Sequence, residues 1–108
     1  MKYKNTLEKG SVRYIIFKEN NVWYGVALEF NIVEDGDDPD LVMVSLFNAI
    51  EGYVSTARKI KSRLMPLNQK PEKEYEDMWN KLQAEKDLKQ QEVYTFGRKD
   101  PFVYPAFA

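Results

Sequence analysis

Val12-Arg13-Tyr14-Ile15-Ile16-Phe17-Lys18-Glu19-Asn20-Asn21-Val22-Trp23-Tyr24-Gly25-Val26-Ala27-Leu28-Glu29-Phe30 is the stretch from which the fold is read. Residues 12 to 19 are rich in β-branched and aromatic side chains and run into Asn20-Asn21, a pair that tolerates the positive φ of a tight hairpin. The pattern predicts strand, turn, strand. Side chains alternate with period two, so the second strand, Val22 to about Phe30, carries Trp23, Gly25 and Ala27 on one face and Tyr24, Val26, Leu28 and Phe30 on the other. Both faces are apolar. The small Gly25 and Ala27 allow a helix to approach closely, whereas the second face needs a cover, supplied either by the chain's own tail or by another protein. Asn31 to Glu34 reads as a third short strand, broken by Asp35-Gly36.

Downstream, Asp38-Pro39 opens the clearest helix: Asp38 is a candidate N-cap, Pro39 occupies the first helical position and Asp40 the first turn. Met43, Leu46, Phe47, Ile50, Tyr53, Val54, Ala57 and Ile60 recur at spacings of three and four and form one apolar stripe. The helix is expected to end near Arg63, because Pro66 disfavours helical geometry at Met65. A second, peripheral helix is expected from about Pro71 to Lys89, with the narrow stripe Tyr75, Met78, Trp79, Leu82. Val93 to Phe96 reads as a strand and Gly97 to Pro101 as a turn. Phe102 to Ala108 reads as an extended aromatic tail that must dock on its own sheet or on a neighbouring subunit.

The composition bounds the chemistry. The chain has 108 residues, 44% of them hydrophobic and 31% charged, with 16 basic and 17 acidic side chains and neither His nor Cys. One domain over 1–108 is expected, its core strengthened by 2 Trp, 7 Tyr and 6 Phe. Without Cys or His there is no disulfide, no Cys/His zinc site and no Ser-His-Asp triad. No apolar run is long enough for a signal peptide or a membrane span, and a cytoplasmic location is expected.

Charge is uneven along the chain. Glu29, Glu34, Asp35, Asp37, Asp38 and Asp40 fall together without a base among them, whereas Arg58, Lys59, Lys61 and Arg63 form a basic cluster. Two readings stand: the acids face a basic partner, or acids and bases complement the dipole of the helix between them. A calcium loop starting at Asp35 fails on spacing, since its sixth and twelfth positions are Asp40 and Leu46. Neither metal nor cofactor is expected, and carboxylates on an exposed turn lack the desolvation that would tune them for acid/base work. Tyr14, Phe17, Trp23 and Tyr24 would make a nucleic-acid stacking platform only beside a basic groove, yet Glu19 and Glu29 oppose Arg13 and Lys18. The better candidates for a phosphate contact are Arg58, Lys59, Lys61 and Arg63.

Trp23-Tyr24-Gly25-Val26-Ala27-Leu28-Glu29-Phe30-Asn31-Ile32-Val33, then Asp35-Gly36-Asp37-Asp38, then Leu46, Ala49, Ile50 and Tyr53 resemble the HicB family of antitoxins over residues 12 to about 60. Ala27 stands where that family commonly has Cys, Asp38 where it has a Thr or Ser cap, and Leu41-Val42 where it has Glu-Ala. The resemblance implies a β-β-β-α fold similar to a partial double-stranded-RNA-binding domain, with a further strand after the helix. It also implies a partner, a small basic RNA-cleaving toxin (HicA-like) whose active surface the domain blocks. After residue 63 the resemblance ends, and no ribbon-helix-helix or helix-turn-helix module is found, so DNA binding is not expected.

These readings converge on an α+β, antiparallel β-β-β-α(-α-β) sheet with the main helix on one face. Residues 12–63 form the HicB-like core, and residues 71–108 supply the second helix and the aromatic strand and tail. The expected role is non-enzymatic protein binding through Glu34, Asp35, Asp37, Asp38, Phe102, Tyr104 and Phe107. The alternatives are a structural homo-oligomer joined through the open sheet face and the tail, or a weak RNA binder.

Overall fold

The computed structural model describes residues 3–84 and 92–102. Four antiparallel strands form one sheet in the order β3-β2-β1-β4, with β1 at Val12–Glu19, β2 at Val22–Ala27, β3 at Ile32–Gly36 and β4 at Glu92–Lys99. The β1–β2 hairpin closes through Asn20 and Asn21 at φ 53° and 65°, the left-handed pair of a two-residue turn whose twist matches the strands it joins. β3 includes the Asp35-Gly36 pair that was expected to end it. β4 runs on to Lys99, through residues expected to turn, because Gly97, Arg98 and Lys99 pair with Tyr14, Arg13 and Val12. A bulge in the β1–β4 ladder inserts Tyr94 as an extra residue.

α1 (Pro39–Lys59) starts as expected: the Asp38 carboxylate accepts the Asp40 N–H at 2.8 Å, with Pro39 in the first turn. It ends earlier than Arg63. Lys61 takes the left-handed conformation (φ 51°), its N–H donates to Arg58 O, and the Ser62 N–H donates to Ala57 O at 2.8 Å, a Schellman closure made without glycine. Val42, Leu46, Ile50, Val54 and Ala57 are buried against Val12, Ile16, Ala27, Phe30, Leu67 and Phe102. A Cβ on Gly25 would come within 3.0 Å of Val42 and 3.2 Å of Leu46, so glycine is what lets α1 sit this close to the sheet.

The opposite face is closed by α2 (Lys73–Gln83), a cover the sequence did not suggest, while residues 103–108 of the expected tail lie outside the described residues. Ile15, Phe17, Val26 and Leu28 pack with Met78 and Trp79, and Tyr24, Tyr75, Leu82 and Val93 border them. The helix expected at the periphery therefore closes the second of two core clusters. The reason is burial: Met78 and Trp79 are 6% and 5% exposed although charged residues surround them in sequence. The remainder of the expected helix, 85–89, lies outside the described residues. No helix among the described residues is long and apolar enough to cross a membrane.

Candidate functional site

Three polar regions flank this double-faced core. The first is the β3 edge. β3 pairs with β2 on one side only, leaving its other backbone edge open among the described residues. Glu34 and Asp35 lie on it, opposite Gly25 and Tyr24, and Asp37 and Asp38 follow in the exposed turn to α1. Val33, between Ile32 and Glu34, is 45% exposed. Glu34, Asp35, Asp37 and Asp38 make no ion pair with a described residue. The Tyr94 hydroxyl donates to the Asp40 carboxylate, which pushes the Tyr94 phenol upward. Among the described residues no three carboxylates gather as ligands for a metal ion.

The second region is the basic end of α1. Arg58 and Lys59 occupy its last turn, where cations complement the helix dipole, and exposed Lys61 and Arg63 follow. Acids and bases thus lie at opposite ends of one helix, about 31 Å apart for 21 residues at the usual rise.

The third region, which sequence reasoning missed, is a polar cleft of about 530 Å³ lined by the N-terminal segment, Arg13, Glu29, Asn68, Gln69, Glu76 and Arg98. Arg13 occupies its floor. Its backbone N–H and Nε donate to Glu29 at 2.8 and 2.5 Å, and its two terminal nitrogens donate to the two oxygens of Glu76 at 2.6 and 2.9 Å. The bidentate bond to Glu76 raises the Arg13 guanidinium, against desolvation, and holds the Glu76 carboxyl below its ordinary value. Arg13 and Arg98 are directly opposed across β1 and β4, a repulsive arrangement eased by the two glutamates and by Trp79, whose ring centroid lies 5.5 Å from each guanidinium.

Asn5 closes the cleft's other wall. It is 2% exposed, its Nδ2 donates to Leu67 O, its Oδ1 accepts the Ser11 N–H, and Asn68 exchanges two further hydrogen bonds with its backbone, all at 2.8 Å. Gly10 at φ +143° makes room, since a Cβ there would lie 2.0 Å from Asn5 Oδ1. Every buried side-chain nitrogen or oxygen among the described residues has a hydrogen-bond partner. The cleft is therefore a satisfied polar joint tying together the N-terminus, the segment after α1 and α2.

Comparison with protein-family models, curated proteins and solved structures finds no match to this chain. Of the aromatic residues expected to meet a partner, Phe102 is 8% exposed in the α1 cluster, with its N–H bonded to Asp100 Oδ1 at 2.9 Å. That leaves Phe102 little surface to offer. Tyr104 and Phe107 lie outside the described residues. The four aromatics considered as a nucleic-acid platform are core residues split between the two faces: Phe17 and Tyr24 stack on each other beneath α2, whereas Tyr14 and Trp23 lie on the α1 face. The Arg13–Glu76 pairing has no local sequence signal, since 63 residues separate the partners.

Proposed function

We propose that the chain is a non-enzymatic protein-binding module that receives a small basic RNA-cleaving toxin on its β3 edge, in the manner of a HicB-like antitoxin. The observation that carries this reading is the unneutralised charge of Glu34, Asp35 and Asp37 on and beside an open strand edge. An open edge offers main-chain hydrogen bonds to an added strand, and its acids select a cationic one while repelling a second copy of themselves. The residue resemblance over 12–60, the β-β-β-α order and the Asp38-capped helix support the HicB-like form of the proposal. The non-enzymatic part is supported by the cleft, where Arg13 is engaged with Glu29 and Glu76 and Asn5 with Asn68.

Co-expression with the product of a short basic reading frame sought beside this one tests the proposal, and finding no such frame counts against it. The two proteins should copurify and growth inhibition by the neighbour should be relieved, whereas Glu34→Lys with Asp35→Lys should weaken binding at least tenfold, about 1.4 kcal/mol, with unchanged circular dichroism. Copurification that survives the double reversal, or a neighbour that neither inhibits growth nor binds, would overturn it.

A further inference from the structure

The outward face of α1 carries chemistry that neither the core nor the β3 edge uses. Between Asp40 and Arg58 the helix has one charged residue, Glu51, which lies on its flank and reaches Lys99 at 3.2 Å. A solvated helix face ordinarily carries more charge. Instead, Leu41 near the start is 67% exposed and Ile60 just past the end is 70% exposed. Between them Ser45, Ala49, Gly52 and Thr56 follow at spacings of four, three and four, which places them along one strip of the helix. Part of this strip is a shallow groove of about 410 Å³, lined by Gly52, Tyr53, Thr56, Ile60 and Pro66 among others. Gly52 is unexplained by the described residues: a Cβ there would meet nothing within 4 Å, and glycine in an exposed helix interior is less favourable than alanine.

From this pattern we infer that the face is the interface of a two-fold homodimer in which α1 packs antiparallel against α1 of a second copy. The strip complements itself when reversed about the midpoint between Ala49 and Gly52. Leu41 then meets Ile60 of the second copy, Ser45 meets Thr56, and Ala49 meets Gly52, small against small where the axes cross most closely. Charge selects the same arrangement. Exposed Asp37 and Asp38 at the start of one helix come beside Lys61 and Arg63 at the end of the other, twice by symmetry, and opposed helix dipoles add to the attraction. A parallel pairing would set acid on acid. An unrelated partner has no reason to be matched by a strip whose two ends are matched to each other. The contact is a single helix pair, at the low end of specific interfaces, so dissociation on the order of 10 µM is expected.

Sedimentation equilibrium of the full chain from about 1 µM to about 1 mM spans that range. The expected result is a monomer–dimer equilibrium that Gly52→Leu weakens at least tenfold without lowering thermal stability measured at the dilute end, since its side chain has open space in the monomer. Charge exchange supplies the second arm. The double variant Lys61→Glu with Arg63→Glu should lose self-association, Asp37→Lys should weaken it, and an equimolar mixture of the two should associate more strongly than either alone, because one end of the mixed pair joins acids to Lys61 and Arg63 while the other sets two glutamates against a start that Asp37→Lys leaves without net charge. A wild-type chain that stays monomeric throughout, as it would if its own tail covered the face, overturns the inference. So does a dimer indifferent to Gly52→Leu, or a mixture that associates no more strongly than either variant alone. Toxin binding is absent from every arm, so the outcome is independent of the role given to the β3 edge.

Discussion

The two faces of one sheet are closed by two helices that hold on in different ways. α1 has 21 residues, a side-chain cap at its start, a Schellman closure at its end, and a stripe from Val42 to Ala57 buried along its length. α2 has 11 residues, no side-chain cap at Glu72, and only Met78 and Trp79 fully buried. What α2 lacks in length is offset by the Arg13–Glu76 clamp and by Trp79, which packs edge-on to Phe96 with centroids 5.8 Å apart and lies beside Arg13 and Arg98. A long capped helix carries its own instructions and needs only a greasy surface. A short one is stable where specific long-range partners hold it.

The contrast is broken most strongly on the α1 side. Ile50 is completely buried, and Ile50→Ala should cost about 2–5 kcal/mol, by removing methyl groups and leaving a cavity that the sheet cannot collapse into. Urea unfolding should show the loss as a global shift of the transition with unchanged slope. On the α2 side, Glu76→Gln keeps the shape but replaces a charge-assisted bidentate bond with a neutral one. An expected cost of about 1–2 kcal/mol allows for the partial exposure of that carboxylate. Its signature should be local: amide exchange should accelerate through α2 while α1 and the central strands keep their protection.

The same pair predicts a pH dependence with a definite sign. Arg13 lowers the folded carboxyl of Glu76 below its ordinary value of 4.5. The pair's contribution is therefore present above that unfolded value and is lost as pH falls through the folded one. Wild type should exceed Glu76→Gln in stability at neutral pH, and the gap should close below about pH 4.5 as the carboxyl protonates. A gap that stays constant down to pH 3 would mean that the bond, and not the charge, is what matters.

What was legible in the sequence follows the same division. The hairpin could be read because Asn20-Asn21 states its own backbone geometry, and α1 because Asp38-Pro39 and the three-four spacing are local signals. Its end was read too far along because no glycine or proline marks it: Lys61 takes the left-handed position at a cost the two capping hydrogen bonds repay. α2 was placed but misjudged, since its burial depends on Ile15, Phe17 and Val26, far away in sequence. The polar cleft was invisible for the same reason: Asn5 with Asn68 and Arg13 with Glu76 are each separated by 63 residues. Of the candidate site, the acids were legible as a run, but their place on an open edge was not, because Asp35-Gly36 was read as the end of a strand it belongs to.

Two glycines on opposite sides of the same α1 contact should have effects no larger than that of Glu76→Gln, and their opposite signs make them informative. Gly25 lies beneath the helix, where an added Cβ would meet Val42 at 3.0 Å, Ile16 at 3.1 Å and Leu46 at 3.2 Å. These neighbours are themselves buried and have little room to withdraw. Gly25→Ala should therefore destabilise by about 1–2 kcal/mol, through overpacking that pushes α1 off the sheet. Gly52 lies on the far side of the helix in open space. Gly52→Ala should raise stability by about 0.5–1 kcal/mol, through the reduced entropy of the unfolded chain and better helix propensity. Both are best measured by thermal unfolding at about 1 µM, below the expected dimer dissociation constant, so that only the single chain is compared. If alanine at Gly52 proved as costly as alanine at Gly25, the outer face would have to be packed within the monomer, and its glycine could no longer be attributed to a second helix.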